Sequence, residues 1–146
     1  MNNLELVEAF FANAPEDFGA VIHDPDWRRA AERGIAPLLA PGFEFVTVQQ
    51  SLGLPGPRRG IEGFFAAYTA YSETWTSFGL ELRRIVEIGD RVLTEVRLKG
   101  ITRTGGVPLE QDVAAVYTFE DGRILRVEEF SDVASAYEAV AAASES

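Results

Sequence analysis

Two periods divide the chain. Up to about residue 75 apolar side chains recur every third or fourth position, and from about residue 78 they recur every second one. Leu4, Val7, Phe10 and Phe11 share one helical face, so residues 3–13 are expected to form an amphipathic helix. Pro15 suits the first position of a second short helix, and Asp24-Pro25 is a cap followed by a helix opener for a third, near 25–33. Gly34 and Pro37 should break it, a further turn carries Leu38 and Leu39, and Pro41-Gly42 should end the helical region. Phe43, Phe45, Val46, Thr47 and Val48 are aromatic or β-branched and predict a first strand. Residues 50–59, with Gly53, Pro55, Gly56 and Pro57, predict a loop. Ile61, Phe64, Phe65, Tyr68, Tyr71 and Trp75 then mark one face of a long helix over 60–75.

Beyond it, strands are expected at 78–88, 91–103, 107–119 and 123–131. They are separated by Gly89-Asp90, Thr104-Gly105-Gly106 and Glu120-Asp121-Gly122 turns, which makes them an antiparallel meander. Asp132 is the expected cap of a closing helix carrying Val133, Ala136, Tyr137 and Val140, with residues 141–146 fraying. Helices first and then a curved antiparallel sheet make one α+β domain over residues 1–146, with the helices on one face of the sheet and an apolar pocket between.

Alternation assigns the faces. Val92, Thr94, Val96 and Leu98 point inward, as do Val113, Ala115, Tyr117 and Phe119. On the last strand the inward set is Leu125, Val127, Glu129 and Ser131, so a carboxylate shares an otherwise apolar stripe. Such a group must pair, accept hydrogen bonds or hold a proton, and carboxyls of that kind gather at functional sites. Equally, the strand could leave the core by residue 129 and put Glu129 at the rim. The opposite face mixes Leu93, Ile101, Ala114, Val116, Ile124 and Phe130 with Glu95, Arg97, Arg126 and Glu128. A mixed face of that kind suits a homodimer interface, or a partly covered surface.

Composition removes whole classes of chemistry. The chain has no cysteine and one histidine, His23, so zinc, thiol and iron–sulfur sites are not expected and no metal or cofactor is called for. A net charge of −10 argues against nucleic acid or an anionic membrane as partner. No apolar run reaches transmembrane length and no leader pattern stands at the N-terminus, so a cytoplasmic location is expected. Nucleotide-loop and nucleophile-elbow motifs are absent.

The stretch Asp90-Arg-Val-Leu-Thr-Glu, the run from Val116-Tyr-Thr-Phe-Glu-Asp-Gly-Arg-Ile-Leu-Arg-Val-Glu-Glu-Phe to Ser131-Asp132, and Gly60-Ile-Glu-Gly-Phe-Phe resemble the nuclear transport factor 2-like superfamily, and within it the SnoaL-like, polyketide cyclase-like group. The resemblance covers nearly the whole chain. It implies a cone: a sheet wrapped around the long helix, open at one end, in proteins that are usually dimers through the outer face of the sheet. The superfold hosts isomerases, cyclases, hydrolases, dehydratases and binding proteins, so it does not choose a reaction. Positions that carry polar groups in the family's epoxide hydrolases correspond to Val96, Leu98 and Glu129, and the isomerase oxyanion donor corresponds to Ala115. Only Glu129 keeps an acid, near the position of the general base in SnoaL-like cyclases. The dehydratases use a His/Asp pair, for which His23 is the only imidazole.

These readings leave a pocket for a small apolar ligand lined by Trp27, Phe45, Phe64, Tyr68, Tyr71, Trp75, Val96, Leu98, Val113, Ala115, Tyr117, Phe119 and Val127. Tyr68, Tyr71 and Trp75 suit it better than the phenylalanines, because each has a polar end that wants a partner. Three functions stay open: a cofactor-independent isomerase, cyclase or lyase with Glu129 as base toward a carbonyl compound, a non-catalytic binding domain, and a structural dimer.

Overall fold

A computed structural model describes residues 1–47 and 58–145. The expected strand residue Val48 and loop positions 50–57 lie outside the described residues. Three short helices come first: α1 (Asn3–Ala12), α2 (Phe18–Val21) and α3 (Pro25–Ile35). Asn2 and Glu5 form a capping box on α1, and Asp24 caps α3 by accepting the Asp26 amide at 2.9 Å. The second helix starts at Phe18 rather than at Pro15, because Asp17 supplies the cap. Gly34 does not end α3. It sits inside the helix where a Cβ would come within 2.1 Å of Asn13 Oδ1, so its bare Cα lets the end of α1 pack close.

A 3₁₀ turn (Ala36–Leu38) leads into β1 (Leu39–Val46), which starts four residues before the expected Phe43. Pro41 and Gly42 lie within this strand, exposed, where its pairing with the last strand is irregular. Proline is tolerated there because no regular ladder bond is required of it. Arg58–Arg59 form a two-residue strand, β2, beside β1, and α4 (Gly60–Thr74) follows. The meander is β3 (Trp75–Ile88), β4 (Arg91–Thr102), β5 (Pro108–Glu120) and β6 (Arg123–Phe130), close to its expected limits except that β3 begins at Trp75. The sheet order is β2-β1-β6-β5-β4-β3, with β1 parallel to β6 and all other pairs antiparallel.

The closing helix α5 (Val133–Glu145) is capped by Asp132, whose Oδ1 accepts the Ser135 amide at 2.7 Å. The helix is alanine-rich, which suits it to extend to Glu145. It does not join the other helices. It lies on the outer face, where Ala136 and Val140 pack on Leu93, Ala114 and Val116, with Phe130 and Tyr137 beside them. Helices therefore lie on both faces of the sheet, and much of the apolar content of the outer face is met within the chain.

The main core lies on the concave side, between α1, α4 and the inner faces of β1, β4, β5 and β6. Asp17 ties α2 to the free edge of the sheet: its carboxylate accepts the Gly19 amide at 2.9 Å, the Phe78 amide at 3.0 Å and the Ser77 hydroxyl at 3.0 Å.

Candidate functional site

Glu129 stands on β6 opposite Ala115 of β5. Tyr68 and Tyr71 are three apart on α4 and so share a helix face. That face meets the sheet where Glu129 points in. Tyr71 donates its hydroxyl to Glu129 Oε1 at 2.6 Å, and Tyr68 reaches Oε2 at 3.5 Å, the long limit of a hydrogen bond. The Tyr68 ring is clamped against Phe18, with centroids 4.5 Å apart and planes at 6°, and edge-on to Phe64 at 4.9 Å. Tyr117, on β5, is buried and lies near the same carboxyl.

Burial pushes the Glu129 carboxyl up to about 7, against the hydrogen bonds from Tyr71 and Tyr68, which favour the charged form. The residue keeps part of its surface accessible because it borders two cavities, but its carboxyl is enclosed by protein, and that enclosure governs its titration. The same burial raises the Tyr68 and Tyr117 hydroxyls above their ordinary value, with the nearby Glu129 charge adding to it, so both stay protonated donors.

Glu129 is the shared wall of two spaces. The inner void has about 40 Å³ and is bordered by Trp27, Phe45, Phe64, Ala115, Tyr117 and Val127. That is room for about one to three waters and not for a ligand, so these expected pocket residues mostly fill a core. The outer chamber has about 190 Å³ and opens beside Tyr71, Trp75 and Leu98. Tyr68, Val113 and Glu129 border both spaces, and Val96 borders the inner one. Phe119 borders neither; it packs against the main core. The rim reading of Glu129 is thus replaced by a position between core and chamber.

His23 is exposed and borders neither cavity. Its Nε2 lies 3.3 Å from the Ser72 hydroxyl, which donates to the Thr69 carbonyl at 2.6 Å. It fastens the α2–α3 turn to α4 rather than facing Glu129. The expected pocket lining did not include Thr74, Phe78, Leu80, Gln111 or Ser131, which border the chamber. Ser131 was already on the inward stripe, and Gln111 is the next inward position after Val113, so the same parity would have found them. Phe78 and Leu80 follow from the inward parity of β3. Among the described residues, no three His, Asp or Glu side chains gather to hold a metal, and no helix is long and apolar enough to cross a membrane.

The fold has well-defined relatives. An NTF2-like protein from Burkholderia thailandensis superposes with a TM-score of 0.69 at 20% identity, over 95% of this chain and 97% of that one. A protein from Jannaschia described as a SnoaL-like polyketide cyclase superposes with a TM-score of 0.63 at 21% identity, over 94% and 90%. TerC, co-crystallised with polyporic acid, gives 0.63 at 24% identity over 94% and 97%. No curated protein matches the chain. The SnoaL-like domain family matches residues 16–127, from just before the cap of α2 to the middle of β6, and Glu129 falls just past that span. The chain is a member of the SnoaL-like domain family, with the curved-sheet architecture of NTF2-like and cystatin-fold proteins.

Proposed function

We propose that this protein binds a small, largely apolar carbonyl compound in the outer chamber and acts on it as a cofactor-independent isomerase or cyclase, with Glu129 as general base. The observation that carries the reading is the Glu129 carboxyl itself: enclosed among apolar and aromatic groups, held by Tyr71 at 2.6 Å, and raised to about 7. A base that titrates near neutrality combines availability with proton-accepting strength. Ionised Glu129 takes a proton from the carbon next to the carbonyl, and the electron pair moves onto the carbonyl oxygen. Return of the proton to another carbon isomerises the compound; attack of the enolate carbon on a second carbonyl closes a ring. Family membership and a neighbour described as a polyketide cyclase support this class.

The test is turnover of carbonyl substrates by Glu129→Gln, which keeps the size and the Tyr71 contact but cannot accept the proton. A loss of at least about a hundredfold with the fold intact is expected, in line with the contribution of a general base. Retained turnover would sink the reading. The apolar residues Val96, Leu98 and Ala115 favour a second reading, binding without turnover, in which ligands stabilise the protein but no proton exchanges from them into solvent.

Homodimerisation is part of the proposal. The distal half of the outer face, beyond α5, exposes Ile101 at 43%, on the same face as the Arg97–Asp112 ion pair. Sedimentation of the wild type as a dimer and of Ile101→Asp as a monomer is expected; a monomeric wild type would refute it.

A further inference from the structure

The outer chamber has a long axis. Ala115 of β5 pairs with Glu129, and Gln111 lies four residues earlier on the same strand, facing the same chamber at its mouth. At about 3.4 Å per residue the two positions are separated by roughly 14 Å along β5. Glu129 and Gln111 both border the chamber, which therefore runs along β5 between them. Gln111 is not a free-swinging side chain: its Nε2 donates to the Ser131 carbonyl at 2.9 Å, which fixes the amide and leaves its second N–H for another acceptor.

The chamber is also narrow. Trp75 lies over Gly100, where a Cβ would come within 2.6 Å of its ring, so the indole takes the space a side chain would fill on β4 and forms one wall. The volume of about 190 Å³ is near the roughly 150 Å³ of a void that takes up benzene, so one ring with a short substituent matches it. Among the described residues, no arginine or lysine borders the chamber. Arg103, on the β4–β5 turn, gives both Nε and Nη2 to the Ser72 carbonyl. An anionic ligand would bring a second negative charge beside Glu129 with no cation to meet it, a desolvation cost that a neutral ligand avoids.

We propose that the outer chamber selects an uncharged, single-ring ligand lying lengthwise along β5, its polar oxygen accepting from the Gln111 amide and its other end against Glu129. Gln111 is then the group that sets the orientation of the ligand. The ligand class follows from chamber shape and charge alone; which end reacts rests on Glu129 acting as the base.

The test is binding, read by quenching of Trp75 in a Trp27→Phe background and by calorimetry on the wild type. The probes are acetophenone, ethylbenzene as its oxygen-free counterpart, benzoate as an anion and 1-acetonaphthone as a two-ring ketone. Acetophenone is expected to bind at least tenfold more tightly than benzoate or 1-acetonaphthone. Gln111→Leu should weaken acetophenone several-fold, toward the affinity of ethylbenzene, and leave ethylbenzene unchanged. Equal affinity for benzoate, tighter binding of 1-acetonaphthone, no binding of acetophenone, or equal weakening of both one-ring probes by Gln111→Leu would overturn the proposal. The same series in Glu129→Gln separates the two ideas. Preserved affinity ratios support the ligand class whether or not turnover is lost, whereas turnover surviving in that variant removes only the base.

Discussion

Replacing Glu129 by Gln should make the protein more stable at alkaline pH and leave it unchanged at acid pH. The folded carboxyl titrates at about 7, against an ordinary value of 4.5. Between those two values the unfolded chain has lost the proton that the folded chain still holds, so stability contributed by this residue falls as pH rises through the window. Above pH 7 the carboxyl is charged in both states and the folded protein carries the whole cost of enclosing it. At about 1.4 kcal/mol per pH unit the difference amounts to roughly 3 kcal/mol. Glu129 borders an open chamber, and solvent there relieves part of the cost, so about 2 kcal/mol is the working figure. Glutamine has the same shape, accepts the Tyr71 hydrogen bond and carries no charge. Urea unfolding at pH 8.5 should therefore show the variant more stable by about 2 kcal/mol, equivalent to about 4–8 °C in Tm for a chain of this size. At pH 4.5 the two midpoints should converge. Every other titrating group is common to both proteins and cancels. A gap that does not change with pH, or a variant less stable at pH 8.5, would refute the placement of a charged carboxyl in the apolar interior.

Tyr71→Phe removes a hydrogen bond that favours the ionised carboxylate, so the Glu129 titration should move upward from about 7; carboxyl carbon NMR reads this, and an unmoved midpoint would contradict the 2.6 Å contact. Asp17→Ala removes the α2 cap and the bonds to Phe78 and Ser77 together, and should cost about 2 kcal/mol by urea unfolding. A loss below about 0.5 kcal/mol would show that the edge of the sheet does not depend on it. Leu93→Ala empties a fully buried site under α5 and should cost about 3 kcal/mol and speed hydrogen exchange in that helix. Exchange in α5 unaffected by the change would mean that the helix is held elsewhere.

Elements bounded by turn chemistry were legible in the sequence. Gly89, Gly105, Gly106 and Gly122 all have positive φ, and the hairpins between β3 and β6 fall where those residues require. The boundary near Pro41-Gly42 was not legible, because both residues break helices and strands alike in isolation. They survive inside β1 only because the pairing with β6 is irregular there, a tertiary fact. The side on which α5 packs was equally hidden. Its apolar stripe fits either face of the sheet, and alternation on β4 and β5 supplies apolar partners on both.

The clearest case is β6. Strict alternation puts Leu125, Val127 and Glu129 on one face and Ile124 on the other. In the structure Ile124 is fully buried in the main core, while Leu125 borders a groove on the outer face. The pairing explains both: Thr118 sits opposite Arg126 and Phe119 opposite Ile124, so Leu125 is the extra residue of a β-bulge. One inserted residue inverts the parity of everything before it and leaves everything after it intact. Val127 and Glu129 therefore face inward as alternation requires, while Ile124, on the other side of the bulge, faces inward against it. Without the bulge, Ile124 and Glu129 could not both point into the core, since they are an odd number of residues apart. The bulge lets one short strand close the hydrophobic core at its start and present a carboxyl to the chamber at its end.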